Sequence, residues 1–308
     1  MNTQGFGIIE PRKITLVSTN AVDEDYPLCS EGGAVAAGEY RIYNNYIYLA
    51  IEDIPASCDI PADENPAYYP QQPVNSYAML TAASQQQSQH GETTAVCSRD
   101  GGLDITLSMR KCDTIALFGV KGKNMTIYEL DVNDNVLKET SYKIIKSKAR
   151  THYQFWTQIV PEYAYRKVVH PLVFSFSQKV RIVIETAGTA EIAFIVAGVE
   201  ETIGCTQFAP TSSQINVRAP VKNDFGNVQL IKGPLARSVS CEMLVETDQL
   251  DWVTQRLDAL ANTAAVFRAI GDSETFLQFG YISGDSDSYE SSAFSRVSLD
   301  IESFIYTI

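Results

Sequence analysis

Hydrophobic positions follow different patterns in three parts of the chain. From Thr93 to Val199, short runs rich in Val, Ile and Leu recur between turn residues. Leu103-Asp-Ile-Thr-Leu alternates apolar and polar positions, and Arg181-Ile-Val-Ile-Glu runs apolar, as sandwich strands do. Strands are predicted at Leu103–Met109, Thr114–Val120, Met125–Asp131, Val136–Ile144, Val168–Ser175, Val180–Thr186 and Glu191–Val199, with a short one near Thr94–Cys97. Gly119 and Gly122, Asn133-Asp134-Asn135 and Gly188 mark the turns. Eight strands without a helical period predict a jelly-roll β-sandwich over residues 86–205.

Residues 1–85 form the first part, an N-terminal arm and a small module. Ile14–Val17 reads as a strand, and the polar stretch STNAVDEDYP as a linker. Tyr40 and Ile42, then Tyr46 and Tyr48, alternate around Asn44-Asn45; Asn tolerates the positive φ of a tight turn, so a β-hairpin is predicted. The proline-rich stretch from Pro55 to Pro73 reads as loop. A glutamine-rich segment near residues 84–93 marks the boundary. In the last part, residues 206–308, strands are expected at Val228–Lys232, Arg237–Val245, Ala265–Ile270, Phe276–Ser283 and Ala293–Phe304, with SGDSDSYESS as a loop. Leu250, Val253, Leu257 and Leu260 share one helical face, and Thr247 or Asp248 would cap it. The fold class is therefore mainly β: a tyrosine-rich hairpin module, a jelly roll, and a C-terminal α+β domain with one amphipathic helix.

Charge divides along the same lines. The net −13 splits into −8 over residues 1–85, +1 over 86–205 and −6 over 206–308. Such an acidic chain repels phosphate backbones, so nucleic acid is not an expected partner. A basic stretch stands out in the middle part: Lys138, Lys143, Lys146, Lys148, Arg150, Arg166 and Lys167. Of these, Lys143, Lys146, Lys148 and Arg150 are the candidate protein-interface residues, suited to an acidic partner such as a neighbouring copy. The bland alternative is a solvated strand face.

Candidate chemistry is sparse. Cys29, Cys58, Cys97, Cys112, Cys205 and Cys241 lack the short spacing that lets one turn present two zinc ligands, so buried free thiols are expected. Asp131, Asn133 and Asn135 open like a calcium loop, but Val136 stands where the sharp turn needs Gly, and a hairpin turn is the better reading. Gly284-Asp-Ser-Asp-Ser-Tyr-Glu could gather carboxylates around an ion or be an acidic loop. His90, His152 and His170 lie far apart with no nucleophile motif nearby. Gly32-Gly33 and Gly101-Gly102 read as turn pairs and not as phosphate loops. No cofactor and no metal are expected, and the chain reads as a non-enzyme. The N-terminus lacks an apolar core of signal-peptide length, and no stretch is long enough to span a bilayer; a chain made in a cytosol, with no membrane partner, is expected.

Sixteen tyrosines against three histidines are the remaining oddity, with Tyr40, Tyr43, Tyr46, Tyr48, Tyr68 and Tyr69 crowded into the first module. Tyr43, Tyr46 and Tyr48 are the candidate carbohydrate-binding residues, since aromatic faces stack on sugar rings. The competing reading makes these amphipathic rings the core of a very small domain.

Several separated stretches resemble a family of tailed-bacteriophage structural proteins, often labelled carbohydrate-binding-like because their first module is similar to small chitin-binding domains. They are Thr19-Asn-Ala-Val-Asp-Glu-Asp-Tyr-Pro, Tyr43-Asn-Asn-Tyr-Ile-Tyr-Leu-Ala, the exit strand Val74-Asn-Ser-Tyr-Ala-Met-Leu, Lys222-Asn-Asp-Phe-Gly-Asn-Val and Leu299-Asp-Ile-Glu-Ser-Phe. Tyr77 stands where the family's exit strand usually carries Trp. The resemblance implies a virion component of the tail, collar or baseplate. It would be made in the host cytoplasm and joined to other tail proteins, to copies of itself in a symmetric ring, and to fibres or spikes. A carbohydrate-binding adaptor contacting host surface glycans is the alternative. A glycan-degrading enzyme has only the versatility of the jelly roll behind it.

Overall fold

The computed structural model describes residues 5–29, 33–56, 58, 60–83, 95–145, 151–157, 164–175, 178–207, 210–216, 221–222, 228–229, 235–261, 263–271 and 273–304. The arm contributes β1 (Gly5–Pro11) and β2 (Ile14–Thr19), and both join sheets built by later parts of the chain. The small module is a three-stranded sheet of β3 (Tyr40–Tyr43), β4 (Tyr46–Ala50) and β5 (Tyr68–Pro73). Asn44 and Asn45 sit at φ 49° and 64°, as the predicted tight turn requires. β5 corrects the loop expected up to Pro73: it is an edge strand, where a missing N–H can face away from the ladder. The expected exit strand from Val74 is instead a turn followed by the 3-10 helix Ala78–Ala83. Ala78, Met79 and Leu80 of that helix are buried in the jelly-roll core.

The jelly roll comprises β6 (Cys97–Asp100), β7 (Leu103–Met109), β8 (Cys112–Gly122), β9 (Asn124–Leu130), β10 (Val136–Lys143), β11 (Ala164–Ser175), β12 (Gln178–Glu185), β13 (Thr189–Ile192) and β14 (Phe194–Thr206). A short helix, α1 (His152–Thr157), lies between β10 and β11. β13 and the start of β14 act as one strand, interrupted at Ala193, whose N–H donates to the Phe118 carbonyl at 3.0 Å. The two facing sheets then run β6–β13/β14–β8–β11 and β7–β12–β9–β10, the order of a double Greek key. β2 extends the second sheet beyond β7. Ile105, Leu107, Leu117, Ile127 and Ile182 are fully buried between them.

The last part contains β15 (Thr211–Asn216), the paired β16 (Val221–Lys222) and β17 (Val228–Gln229), β18 (Leu235–Glu246), α2 (Leu250–Leu260), β19 (Ala265–Arg268), β20 (Leu277–Tyr289) and β21 (Phe294–Ser303). β1, β14, β18, β21, β20 and β19 pair in that order, and β19 returns to β1, closing a six-stranded antiparallel barrel. Phe6, Ile8, Ile203, Met243, Phe267 and Leu299 fill it, and α2 adds Val253, Leu257 and Leu260. Neither predicted residue caps this helix. Gln249 stands at its N-cap without a side-chain bond, while the Thr247 hydroxyl donates to the Ser291 carbonyl at 3.0 Å. The expected SGDSDSYESS loop is strand as far as Tyr289, paired with β21. Of the six free cysteines, Cys205 is exposed, against the expectation of buried thiols.

Jelly roll and barrel form one body. Along β8, Ile115 and Leu117 face the jelly-roll core, whereas Ala116 and Phe118 face out onto the barrel. β14 does the same with Ile195 and Ala197 inside, Phe194 and Val196 outside, and then continues into the barrel at Ile203. The outward set meets Ile9, Val266, Leu277 and Phe279 in a dry seam. Burial on both faces explains why these strands run continuously apolar in sequence. No described helix is long and apolar enough to cross a membrane.

Candidate functional site

The small sheet has one buried and one exposed aromatic face. Tyr46 and Tyr48 are 2% and 1% exposed and pack on Ala62, with Cys29, Tyr43 and Tyr68 at the rim of the cluster. Tyr68 meets Tyr48 edge-on at 6.4 Å. Burial pushes the Tyr46 phenol up to about 12 and raises that of Tyr48 further. This corrects the expected sugar platform of Tyr43, Tyr46 and Tyr48: two rings are fully covered and the third leans on them. They serve as the core of the module, next to a small aliphatic cluster of Val35, Ala50 and Ile54.

The opposite face carries the exposed set. Tyr40 pairs across the ladder with Leu49, and Leu49 with Tyr69, so the three side chains form a row perpendicular to the strands. Tyr69 is 60% exposed, and Tyr26 packs on Tyr40 with ring centres 5.0 Å apart. Tyr40 and Tyr69 were among the crowded tyrosines, but their distinction from Tyr46 and Tyr48 is one of register, and Tyr26 joins them only through the fold.

Asn75 fixes the module to the jelly roll. Its amide donates to the carbonyls of Val22 and Ser98, both at 2.8 Å, and accepts from the Ser98 N–H at 2.8 Å. Ser76 next to it binds Asp23 through both its N–H and its hydroxyl, at 2.6 and 2.9 Å.

A second feature is a charged cleft of about 650 Å³ between β10 and β11 of the jelly roll and the barrel loops around Glu274. Lys143, Arg166, Lys167 and Arg268 line it, opposed by Glu200 and Glu274. Arg166 pairs with Glu274, its Nε donating at 2.8 Å, and Arg268 pairs with Glu200. Lys167 donates to the Leu277 carbonyl at 2.8 Å and to Gln278 Oε1 at 2.9 Å, and lies 6.0 Å from the Phe118 ring centre. Burial, aided by Arg237 and opposed by Glu274, brings its amine down to about 8. Lys143 is exposed and has no ion pair among the described residues. Of the other interface candidates, Lys146, Lys148 and Arg150 lie outside the described residues, as does the Lys222-to-Val228 turn at residues 223–227. Lys138 pairs with Glu129 at 3.2 Å.

The structure also joins residues that the sequence kept apart. The Tyr142 hydroxyl lies 2.8 Å from His170 Nδ1, and His170 Nε2 lies 3.3 Å from Glu129, which also accepts from the Val173 N–H at 2.9 Å. Burial outweighs Glu129 and lowers the His170 pKa, and burial followed by Glu129 raises that of Tyr142. A phenol made harder to ionise and an imidazole sealed from solvent form a pin across the sandwich edge; the arrangement does not activate a base. Asp131 accepts from the N–H groups of Asn133 and Asn135 at 2.7 and 2.9 Å, so this segment is the expected hairpin turn. Among the described residues, no group of three acidic, His or Cys side chains could hold a metal ion. No family model, no curated protein and no solved structure matches this chain.

Proposed function

We propose that this protein is a non-enzymatic structural component of a bacteriophage tail. It would stand in a symmetric ring of its own copies and join other tail proteins to fibres or spikes. The observation that carries this reading is the hydrogen-bonded continuity of barrel and jelly roll through β14 and β1. A part that transmits force must hold its domains in fixed orientation. A strand running through both domains, β14, and an apolar seam around Phe279 do that better than the polar interface of hinged domains. The stretches that resemble tail proteins point the same way. In purified virions, cryo-EM reconstruction should find several copies at one axial level; a chain absent from particles would refute the reading.

One observation favours a second reading, contact with host glycans. Tyr40 and Tyr69 stand in one row on the exposed face, with Tyr26 packed against Tyr40, and aromatic faces stack on the C–H edges of sugars. Full-length protein should bind on a glycan array and lose that binding as Tyr69→Ala or Tyr40→Ala, with melting unchanged. Absence of polysaccharide binding at millimolar ligand would end this reading.

A further inference from the structure

β20 outruns the barrel. Its first four residues pair with β19 on one side, but from Tyr281 to Tyr289 no described strand pairs with that edge, and only β21 accompanies it. Along β20 the outer half is exposed from Asp285 to Tyr289, as is the turn from Glu290 to Phe294, while Ser295, Val297 and Leu299 of β21 beside it are buried. Register places Asp285, Asp287 and Tyr289 opposite Leu299, Val297 and Ser295, so all three project from one face, beside α2, whose Thr254 hydroxyl donates to Asp287 at 2.8 Å. Tyr289 is 67% and Phe294 49% exposed. The tip thus combines carboxylates with two aromatic anchors, the composition of a segment that binds and not of a solvated turn.

The charged cleft is complementary to it. Four cations face two carboxylates there, and Lys143 at its rim has no carboxylate of its own among the described residues. The cavity of about 650 Å³ is within the range that takes an aromatic side chain and its neighbours. The tip cannot reach the cleft of its own molecule. Leu277, at the start of β20, lines the cleft, and the strand's 13 residues carry the tip about 40 Å away. A contact between these surfaces is necessarily intermolecular, and it is heterologous because two different patches meet.

We propose that the β20–β21 tip of one copy docks into the cleft between jelly roll and barrel of a second copy, with Asp285 and Asp287 against Lys143. Repeated head to tail, this contact closes the ring; the inference deepens the structural reading above and rests on it. The occupant is a second copy because both surfaces are on this chain and carry opposite charge. Rim charges of this kind set register and association rate, and close pairs add affinity.

Sedimentation velocity and mass photometry of the full chain test this at low and moderate salt. Wild-type protein should associate, and D285K/D287K and K143E should each weaken association about tenfold or more. The triple variant, with both charges exchanged in one chain, should recover most of the loss. All three positions are exposed and the hydrogen bond lost is that of Thr254 to Asp287, so melting temperatures should stay close to wild type and exclude misfolding as the cause. Wild-type protein that stays monomeric, or association that none of the variants alters, overturns the docking. If particles nevertheless contain several copies at one level, only the docking falls. If the charge-exchange pattern appears but the protein is absent from particles, the docking stands and the tail reading falls.

Discussion

Lys167 offers a sharp test of the seam between jelly roll and barrel. The amine is mostly buried, donates to the Leu277 carbonyl and to Gln278, and is brought down from near 10.5 to about 8. That displacement corresponds to roughly 3 kcal/mol of disfavoured charge at neutral pH. Because the unfolded chain holds this proton more tightly, stability should rise with pH between about 8 and 10.5. Linkage over pH 7 to 9.5 amounts to about 2 kcal/mol. Lys167→Met keeps the apolar stem against Phe118 and removes the ionisation. At pH 7 the variant should differ little from wild type, because relief of the buried charge is offset by about 1–3 kcal/mol from stranding two acceptors. The pH slope is therefore the discriminating quantity. Buried thiols such as Cys97 and Cys241, held up at about 12, lower stability above about pH 9, and subtracting the variant from wild type removes their contribution. Guanidinium unfolding at pH 7, 8.5 and 9.5 provides the measurement. If both proteins show the same pH dependence, Lys167 is not charged and buried at the seam, and the reasoning fails.

Three further outcomes are expected. Gly280→Ala would drive a methyl group into the Glu302 carbonyl and should cost about 3 kcal/mol, whereas Gly284→Ala, whose nearest neighbour would be 3.7 Å away, should change stability by less than about 0.5 kcal/mol; denaturant unfolding compares them. Asn75→Ala strands the Ser98 N–H and two carbonyls and should cost about 2 kcal/mol, with cleavage of the module during limited proteolysis as a second readout. His170 is held below its ordinary 6.5 by burial, so the unfolded chain takes up the proton first. Stability should therefore fall as pH drops from 7.5 to 5.5, and His170→Gln should flatten that fall in urea titrations.

Much of the jelly roll was legible because its strands alternate or run apolar, and several boundaries carried turn residues such as Gly122, Asn133-Asp134-Asn135 and Gly188, although Gly119 lies inside β8 and Arg110-Lys111 turns between β7 and β8 without one. The failures have particular causes. Gly5–Pro11 is too short and too rich in Gly and Pro to announce a strand, yet it is the link that pairs with both β14 and β19. The outer half of β20 buries nothing, so Asp-Ser-Asp-Ser lacks the alternation by which strands are recognised. Thr247 looked like a cap, but the loop between β20 and β21 claimed its hydroxyl. Helix α2 was found by its stripe, although its packing partner was not.

Among the tyrosines the limit is clearest. Composition and the Asn44-Asn45 turn were enough to place a hairpin and to crowd aromatic residues onto it. Which rings are buried depended on register: in a strand, adjacent positions face opposite sides, and only pairing with β5 decides which side is covered. Local pattern by itself determined the mainly β class, the jelly roll, the hairpin and one helix, because periodicity is written in neighbouring residues. Tertiary structure decided the barrel's closure through β1, the joining of His170 to Glu129 and Tyr142, and the cleft between the two domains. These depend on contacts between residues far apart in the chain, whose pairing no local period specifies.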